Sequence, residues 1–86
     1  MFDKQSKKLA IIRRKQLEQR MGIGRSTIYL RINQSLITSP VSLGANSVGW
    51  PEHEIDAILA ARIAGKSDDE IKVLVSELEA ARKLAA

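Results

Sequence analysis

The sequence has no cysteine and a single histidine, His53. The lack of cysteine excludes disulfide bonds, thiolate metal sites and cysteine nucleophiles, and it fits a reducing compartment. One histidine is too few for a histidine-based metal site. We therefore expect neither a bound metal nor a cofactor.

Long apolar runs are also missing. The longest unbroken run, Ala57 to Ala61, has five residues, whereas a membrane span needs about 18 and the apolar part of a secretory signal at least about 7. A chain of 86 residues buries only roughly 60% of the surface that its unfolded form exposes. We predict one cytoplasmic domain, or one small domain with an extra element, with no membrane contact and no small-molecule substrate.

Charge is distributed unevenly along the chain. Residues 1–33 contain nine Lys and Arg but two acidic residues, an excess of +7. Residues 34–50 carry no charge, and residues 51–86 contain five basic and eight acidic residues, or −3, which gives the net charge of +4. A basic half beside a neutral strip and an acidic half is typical of a nucleic-acid binder. The alternative is an ordinary small domain with a solvated basic surface.

The first twelve residues are interpreted as a basic N-terminal arm. Residues 1–8 are polar and basic without a period, which predicts a frayed tail or an arm that contacts phosphate. Residues 9–12 are apolar and end in β-branched side chains, a pattern compatible with a short strand or with the start of the first helix.

Residues 13–33 predict a helix-turn-helix. Residues 14–21 and 25–33 contain no Gly or Pro, and each stretch has apolar residues four apart on one helix face. Gly22 adopts positive φ readily and ends the first helix. The turn is three or four residues long, with Ile23 as its single buried residue.

The neutral strip predicts a β-hairpin. Short apolar alternation on either side of residues 44–47 indicates two strands around a turn. Pro40 stands at the start of the first strand, where its missing N–H is harmless. Trp50 is predicted to lie in the core and to anchor the hairpin, because one large aromatic residue in a small domain is usually structural.

Two helices follow the hairpin. The first opens at Pro51 with acidic residues in its first turn and ends at Gly65. Ser67 and Glu70 match a capping box that starts the second, at about residues 68–83. The apolar stripe of this last helix is predicted either to fold back on its own domain or to pair with a second copy in a homodimer.

A helical wheel over residues 25–33 gives the candidate contacts with double-stranded DNA. With Ile28 turned to the core, the opposite face is short and polar, which suits the major groove. The predicted base contacts are Arg25, Ser26, Thr27 and Tyr29, with Leu30 on a thymine methyl. The predicted phosphate contacts are Arg31, Arg13, Arg14 and Lys15.

Several of these residues have a purely structural alternative. Tyr29 would cover the hairpin, Thr27 would bond a helix carbonyl, and Leu30 would be buried against the wing. Glu18 and Arg20 are interpreted as a solvated pair on the first helix.

No enzyme signature is present, and we expect no catalysis. Residues 24–26 resemble the end of a phosphate-binding loop, but Gln19 stands where that motif needs Gly and Arg25 where it needs Lys. His53 and Asp56 lie on one short helix without a nucleophile elbow, so they do not indicate a catalytic triad.

Two sequence elements resemble the AlpA family of phage regulatory proteins. Residues 22–29 read GIGRSTIY, which is similar to the family's G-[LV]-S-R-S-T-[IV]-Y. Residues 41–44, 47–50 and 54–57 read VSLG, SVGW and EIDA, which resemble its P-V-x-L-G, V-G-W and E-[VI]-x-A. The resemblance covers about residues 13–64, in the same order and spacing.

The resemblance implies a winged helix-turn-helix related to the MerR type and to phage excisionases. It implies that residues 25–29 lie on the recognition helix and that residues 44–47, including Asn46, form a wing that contacts DNA. Two departures stand out. Gly24 replaces the usual Ser cap, and the wing turn has no Arg or Lys although a basic wing tip is common in the family.

The resulting fold class is mainly α with a small β-hairpin wing. It consists of the arm at residues 1–12, the winged helix-turn-helix at residues 13–64 and a C-terminal helix at residues 65–86. Three functions fit: a sequence-specific transcription regulator of a prophage or genomic island, an excisionase-type factor that bends attachment-site DNA, or a small inhibitor that binds a protein partner through its acidic half.

Overall fold

The computed structural model describes residues 9–84. It contains four helices and a three-stranded antiparallel sheet. The elements are β1 (Ile11–Ile12), α1 (Arg14–Met21), α2 (Arg25–Asn33), β2 (Val41–Gly44), β3 (Ser47–Pro51), α3 (Glu52–Ile63) and α4 (Asp68–Leu84). The strand order in the sheet is β1-β3-β2. This is the expected winged helix-turn-helix class with an added C-terminal helix. None of the helices in the described part of the chain is long and apolar enough to span a membrane.

The turn between α1 and α2 is built as the sequence predicts. Gly22 has φ 67°, and its N–H donates to the Glu18 carbonyl at 2.8 Å. This left-handed residue reverses the chain without the cost that a side chain would add. Ile23 is partly buried and packs on the core. The apolar residue of the turn thereby adds to the core to which both helices contribute.

The sheet has one strand more than the predicted hairpin. β2 and β3 pair antiparallel around Ala45 and Asn46. β1 pairs with the other edge of β3, with Ile11 opposite Pro51 and Ile12 opposite Trp50. Of the two alternatives for residues 9–12, the short strand is the one observed. Its partner lies almost forty residues along the chain, which local sequence pattern does not reveal.

The core lies between the sheet and the helices. Among the described residues, the buried apolar side chains are Ile12, Leu17, Ile28, Leu36, Ile37, Trp50, Ile55, Ile58, Ile71 and Val75. Trp50 is fully buried, and its indole Nε1 donates to the Thr38 carbonyl at 2.9 Å. The prediction that Trp50 anchors the hairpin in the core is confirmed.

The C-terminal helix packs on its own domain. Ser67 and Glu70 form the predicted capping box: the Ser67 N–H donates to Glu70 Oε1 at 2.9 Å, and the Glu70 N–H donates to Ser67 Oγ at 3.2 Å. Ile71 and Val75 of α4 are buried in the core. The fold-back alternative is thus the one observed within the chain, and pairing with a second copy stays a prediction.

Candidate nucleic-acid interface

Three elements surround an open groove of about 290 Å³. The first turn of α1, the middle of α2 and the hairpin each contribute to its walls. The lining residues are Arg13, Arg14, Lys15, Tyr29, Asn46 and Val48. Five of these six are residues that the sequence nominated for DNA contact, from three separate stretches of the chain. Val48 was missed, because strand alternation alone does not say which neighbour a side chain will face.

The face of α2 opposite the core is open. Ile28 is fully buried, whereas Ser26 and Asn33 are exposed and Leu30 is 54% exposed. Leu30 is therefore not buried against the wing, which was its structural alternative. Tyr29 is 38% exposed and lines the groove together with hairpin residues. It lies at the boundary between α2 and the hairpin.

The start of α2 is accessible. Arg25 and Ser26 are exposed, and Thr27 is half-buried. Gly24 precedes them in extended conformation and provides no side-chain cap. The first N–H groups of a helix have no partner inside the helix, and here no capping side chain covers them.

The arginines of the described residues divide into two groups. Arg14, Arg20, Arg62 and Arg82 each form an ion pair with a carboxylate. Within residues 9–84, Arg13, Arg25 and Arg31 form none, and neither does Lys15. All four of these residues are predicted DNA contacts. Lys66, Lys72 and Lys83, which follow α3 or lie on α4, also form no ion pair within residues 9–84.

The expected pairing of Glu18 with Arg20 is wrong. Residues two apart point to different sides of a helix, whereas residues four apart share a side. Glu18 accordingly accepts from Arg14 at 2.6 Å, and Arg20 turns to α3, where it bonds Glu52 and, at 2.8 Å, Asp56. Arg20 thus joins α1 to the start of α3.

Arg14 lines the groove but is partly neutralised by Glu18. The pair is only partly buried, and helix pairs of this spacing are worth only about 0.3–0.5 kcal/mol. The guanidinium is therefore free to exchange its carboxylate for a phosphate at little cost.

The first turns of the four helices differ in charge. α3 begins with Glu52 and Glu54, and α4 begins with three acidic residues, as the positive end of a helix dipole favours. α1 and α2 have no acidic residue in the first turn, and both begin with arginine. In these two helices the positive end of the dipole is reinforced by positive side chains.

Other polar side chains of residues 9–84 lie outside this groove. Among residues 9–84, no group of three or more His, Asp or Glu side chains is arranged to hold a metal ion. His53 is exposed at the start of α3. A separate apolar depression lies between β1 and α4, and Glu54 and Arg82 at its wall are bonded to each other.

Comparison with known proteins gives one family and one relative. The model of the family described as prophage CP4-57 regulatory protein (AlpA) matches residues 10–63. An uncharacterized protein, ORF88 of Enterobacteria phage P4, is 44% identical over 45 residues. That alignment covers 52% of this chain and 51% of the phage protein, so the chain spans about half of its relative's length. No solved structure matches the chain.

Proposed function

This chain belongs to the AlpA family of prophage regulatory proteins, and we propose that it is a sequence-specific DNA-binding regulator of transcription encoded by a prophage or genomic island. It acts on double-stranded DNA in the bacterial cytoplasm. It has no catalytic activity of its own.

In this proposal α2 enters the major groove. The exposed face of α2 is long enough to serve as a recognition helix. In helix-turn-helix proteins, the side chains at the start of that helix meet the base edges. Arg25, Ser26, Thr27 and Tyr29 read the sequence through hydrogen bonds, and Leu30 contacts a thymine methyl. The half-exposed apolar surface of Leu30 supports that assignment.

The start of α1 holds the DNA backbone. Arg13, Arg14 and Lys15 line the groove beside α2. The helix dipole disfavours cations at a helix N-terminus, whereas a bound anion there is favoured by the dipole and by the basic side chains. A phosphate is the anion that DNA supplies. Arg31, in the last turn of α2, provides a further phosphate contact. These contacts position the protein without specifying sequence.

The wing contributes shape and hydrogen bonding in place of charge. Its turn has no basic residue, but Asn46 and Val48 line the same groove as the three bases of α1. The charge that the wing tip lacks is therefore close by on α1. Asn46 is exposed and contacts the DNA backbone in this proposal.

The observation that carries the proposal is the contrast between helix starts. α1 and α2 begin with arginine and have no acidic residue in the first turn, whereas α3 and α4 have acidic residues there. Basic side chains at the start of α1 and α2 lower the stability of these two helices, because the N-terminal end of the helix dipole is already positive. Such departures from local preference are expected where a residue serves binding.

A selection of genomic DNA fragments by the purified chain at near-physiological salt, followed by sequencing, tests the proposal. Enrichment upstream of a promoter supports the regulator. Enrichment beside an integration site instead supports the excisionase-type alternative. Absence of any enriched sequence overturns both, and a protein partner for the acidic half then becomes the leading hypothesis.

A further inference from the structure

The last turns of α4 hold the segment that joins the recognition helix to the wing. We call residues 34–40, between α2 and β2, the connection. Glu79 Oε2 accepts a hydrogen bond from the Ser39 backbone N–H at 2.7 Å, and Arg82 Nη2 donates to the Ser39 carbonyl at 2.7 Å. Both backbone polar groups of Ser39 are therefore bonded to side chains of α4. This helix lies beyond residues 10–63, the part that matches the family.

Arg82 is itself fixed by α3. The Glu54 side chain is fully buried, and it accepts two hydrogen bonds from Arg82, one from Nε at 2.8 Å and one from Nη2 at 2.6 Å. Such a two-point pairing sets the direction of the guanidinium as well as its place. The Glu54 carboxylate also raises the pKa of Arg82 above its ordinary value. Arg82 therefore reaches Ser39 from a rigid support.

The connection transmits this restraint to both DNA-binding elements. Leu36, Ile37 and Thr38 are buried, and the Thr38 carbonyl accepts the hydrogen bond from Trp50 of β3. The connection starts at the end of α2, where the Leu36 N–H donates to the Arg31 carbonyl at 2.8 Å. Ser39 directly follows Thr38, which accepts the hydrogen bond from Trp50. It lies eight residues after Arg31, a predicted phosphate contact on α2.

We propose that Glu79 and Arg82 are positioning residues that hold Ser39, and through it the relative placement of α2 and the wing, in the arrangement that contacts DNA with both elements at once. This inference rests on the proposed function. A binding constellation must be held to within roughly 0.5 Å to be effective. α4 supplies that precision from outside residues 10–63, the part that matches the family and carries the proposed contacts.

A purely stabilising role for α4 predicts something different. If α4 only added buried surface, variants of Glu79 would lower the stability and would weaken binding to specific and random DNA together. If α4 positions the connection, they weaken specific binding selectively and change the environment of Ser39 and Trp50. Trp50 is the sole tryptophan of the chain, so its indole N–H is an unambiguous reporter.

The test uses the full-length chain with Glu79→Ala and the matched control Glu77→Ala. Both remove one carboxylate from α4, but Glu77 is exposed and, within residues 9–84, makes no hydrogen bond to the connection. The Glu54–Arg82 pair stays intact in both. The measurements are the ¹H–¹⁵N signals of the Ser39 amide and the Trp50 indole, and the affinity for an enriched duplex and for a random one.

We expect Glu79→Ala to shift both signals and to lower the affinity for the enriched duplex about tenfold relative to Glu77→Ala, with a much smaller change on random DNA. A second variant, Glu54→Gln combined with Arg82→Gln, removes the contact between Arg82 and the Ser39 carbonyl. It takes away the buried charge of Glu54 together with its partner, so no unpaired charge is left buried. It is expected to show the same selective loss.

Two results overturn the inference. One is that Glu79→Ala matches Glu77→Ala in both signals and both affinities, and the other is an equal loss on enriched and random DNA. Failure of the proposed function looks different, because the unsubstituted chain would then show no preference between the two duplexes.

Discussion

At the scale of single residues, Gly49 determines how closely the strands of the sheet approach each other. A Cβ built on Gly49 would collide with the Ile11 side chain and would lie 3.0 Å from the Ile12 carbonyl oxygen. Glycine is therefore required here for space and not for a positive φ. The residue allows β1 to lie against β3, beside the first turn of α1.

We expect Gly49→Ala to lower the free energy of unfolding by about 1–3 kcal/mol, because the added methyl group overpacks the sheet. Urea unfolding followed by Trp50 fluorescence measures the change. Gly24→Ser is the matched control, since nothing lies within 4 Å of a Cβ at Gly24 and a Ser cap adds a few tenths of a kcal/mol of stability. Equal stability of both variants and the unsubstituted chain would refute the steric account.

At the scale of elements, local signals predicted the helices well. Gly22, the apolar spacing of four and the Ser67–Glu70 capping box are short-range features, and the observed bounds of α1 and α2 agree with them. The contacts that the sequence did not predict join residues far apart along the chain. The pairing of β1 with β3, the bonds of Arg20 to α3 and the clamp of Arg82 on Glu54 join residues 28 to 40 positions apart, and sequence pattern does not encode such partners.

The candidate site was predictable to the same extent. Which α2 residues face outward follows from the helical period, and their exposure agrees with it. Asn46 and Val48 lie with the first turn of α1 in one groove. This neighbourhood depends on how the sheet packs, so it becomes visible only in the folded structure. The role of α4 in holding the connection has no local signal at all.

The capping box of α4 leads to a prediction about pH. The hydrogen bond from the Ser67 amide, followed by that with the Ser67 hydroxyl, holds the pKa of Glu70 below its ordinary value. A carboxylate with a lowered folded-state pKa stabilises the fold above its unfolded-state pKa, and this stabilisation is lost as the pH falls through the folded-state pKa. The unsubstituted chain should therefore exceed Glu70→Gln in stability at neutral pH, and the difference should shrink on acidification below about pH 4.

Thermal unfolding of the two chains across this pH range provides the measurement. Glu77→Gln, which removes one charge from the middle of the same helix, is the control for net charge. A stability difference between the unsubstituted chain and Glu70→Gln that does not change with pH would show that the capping carboxylate is not responsible.

At the scale of the whole molecule, charge is separated along the chain and within the fold. The bases of the first half that lie in the described residues gather on α1 and α2, where Arg13, Lys15, Arg25 and Arg31 have no ion pair within residues 9–84. The acidic half forms α3 and α4. One side is therefore suited to a polyanion, and the other carries the acids that pair with the arginines used for structure.

The four predicted phosphate contacts, Arg13, Arg14, Lys15 and Arg31, lead to a prediction about salt. With about −0.9 per neutralised phosphate, they give a slope of about −3 to −4 for the logarithm of the binding constant against the logarithm of the salt concentration. Lys15→Gln should reduce the size of that slope by about 1. Lys72→Gln, a substitution on the acidic α4, should leave it unchanged. Titrations at several salt concentrations measure the slope, and a value near zero would contradict the phosphate contacts.

The central claim is that the start of α2 reads the sequence while the bases at the start of α1 and at the end of α2 hold the DNA backbone, and one comparison tests it most directly. The affinity of Arg25→Ala/Thr27→Ala for an enriched duplex and for a random duplex is measured beside that of the unsubstituted chain, with Lys72→Ala/Ser76→Ala as the control for losing one base and one hydroxyl. The account predicts that the preference for the enriched duplex falls roughly tenfold or more, while salt-dependent binding to random DNA remains. An unchanged preference would contradict it.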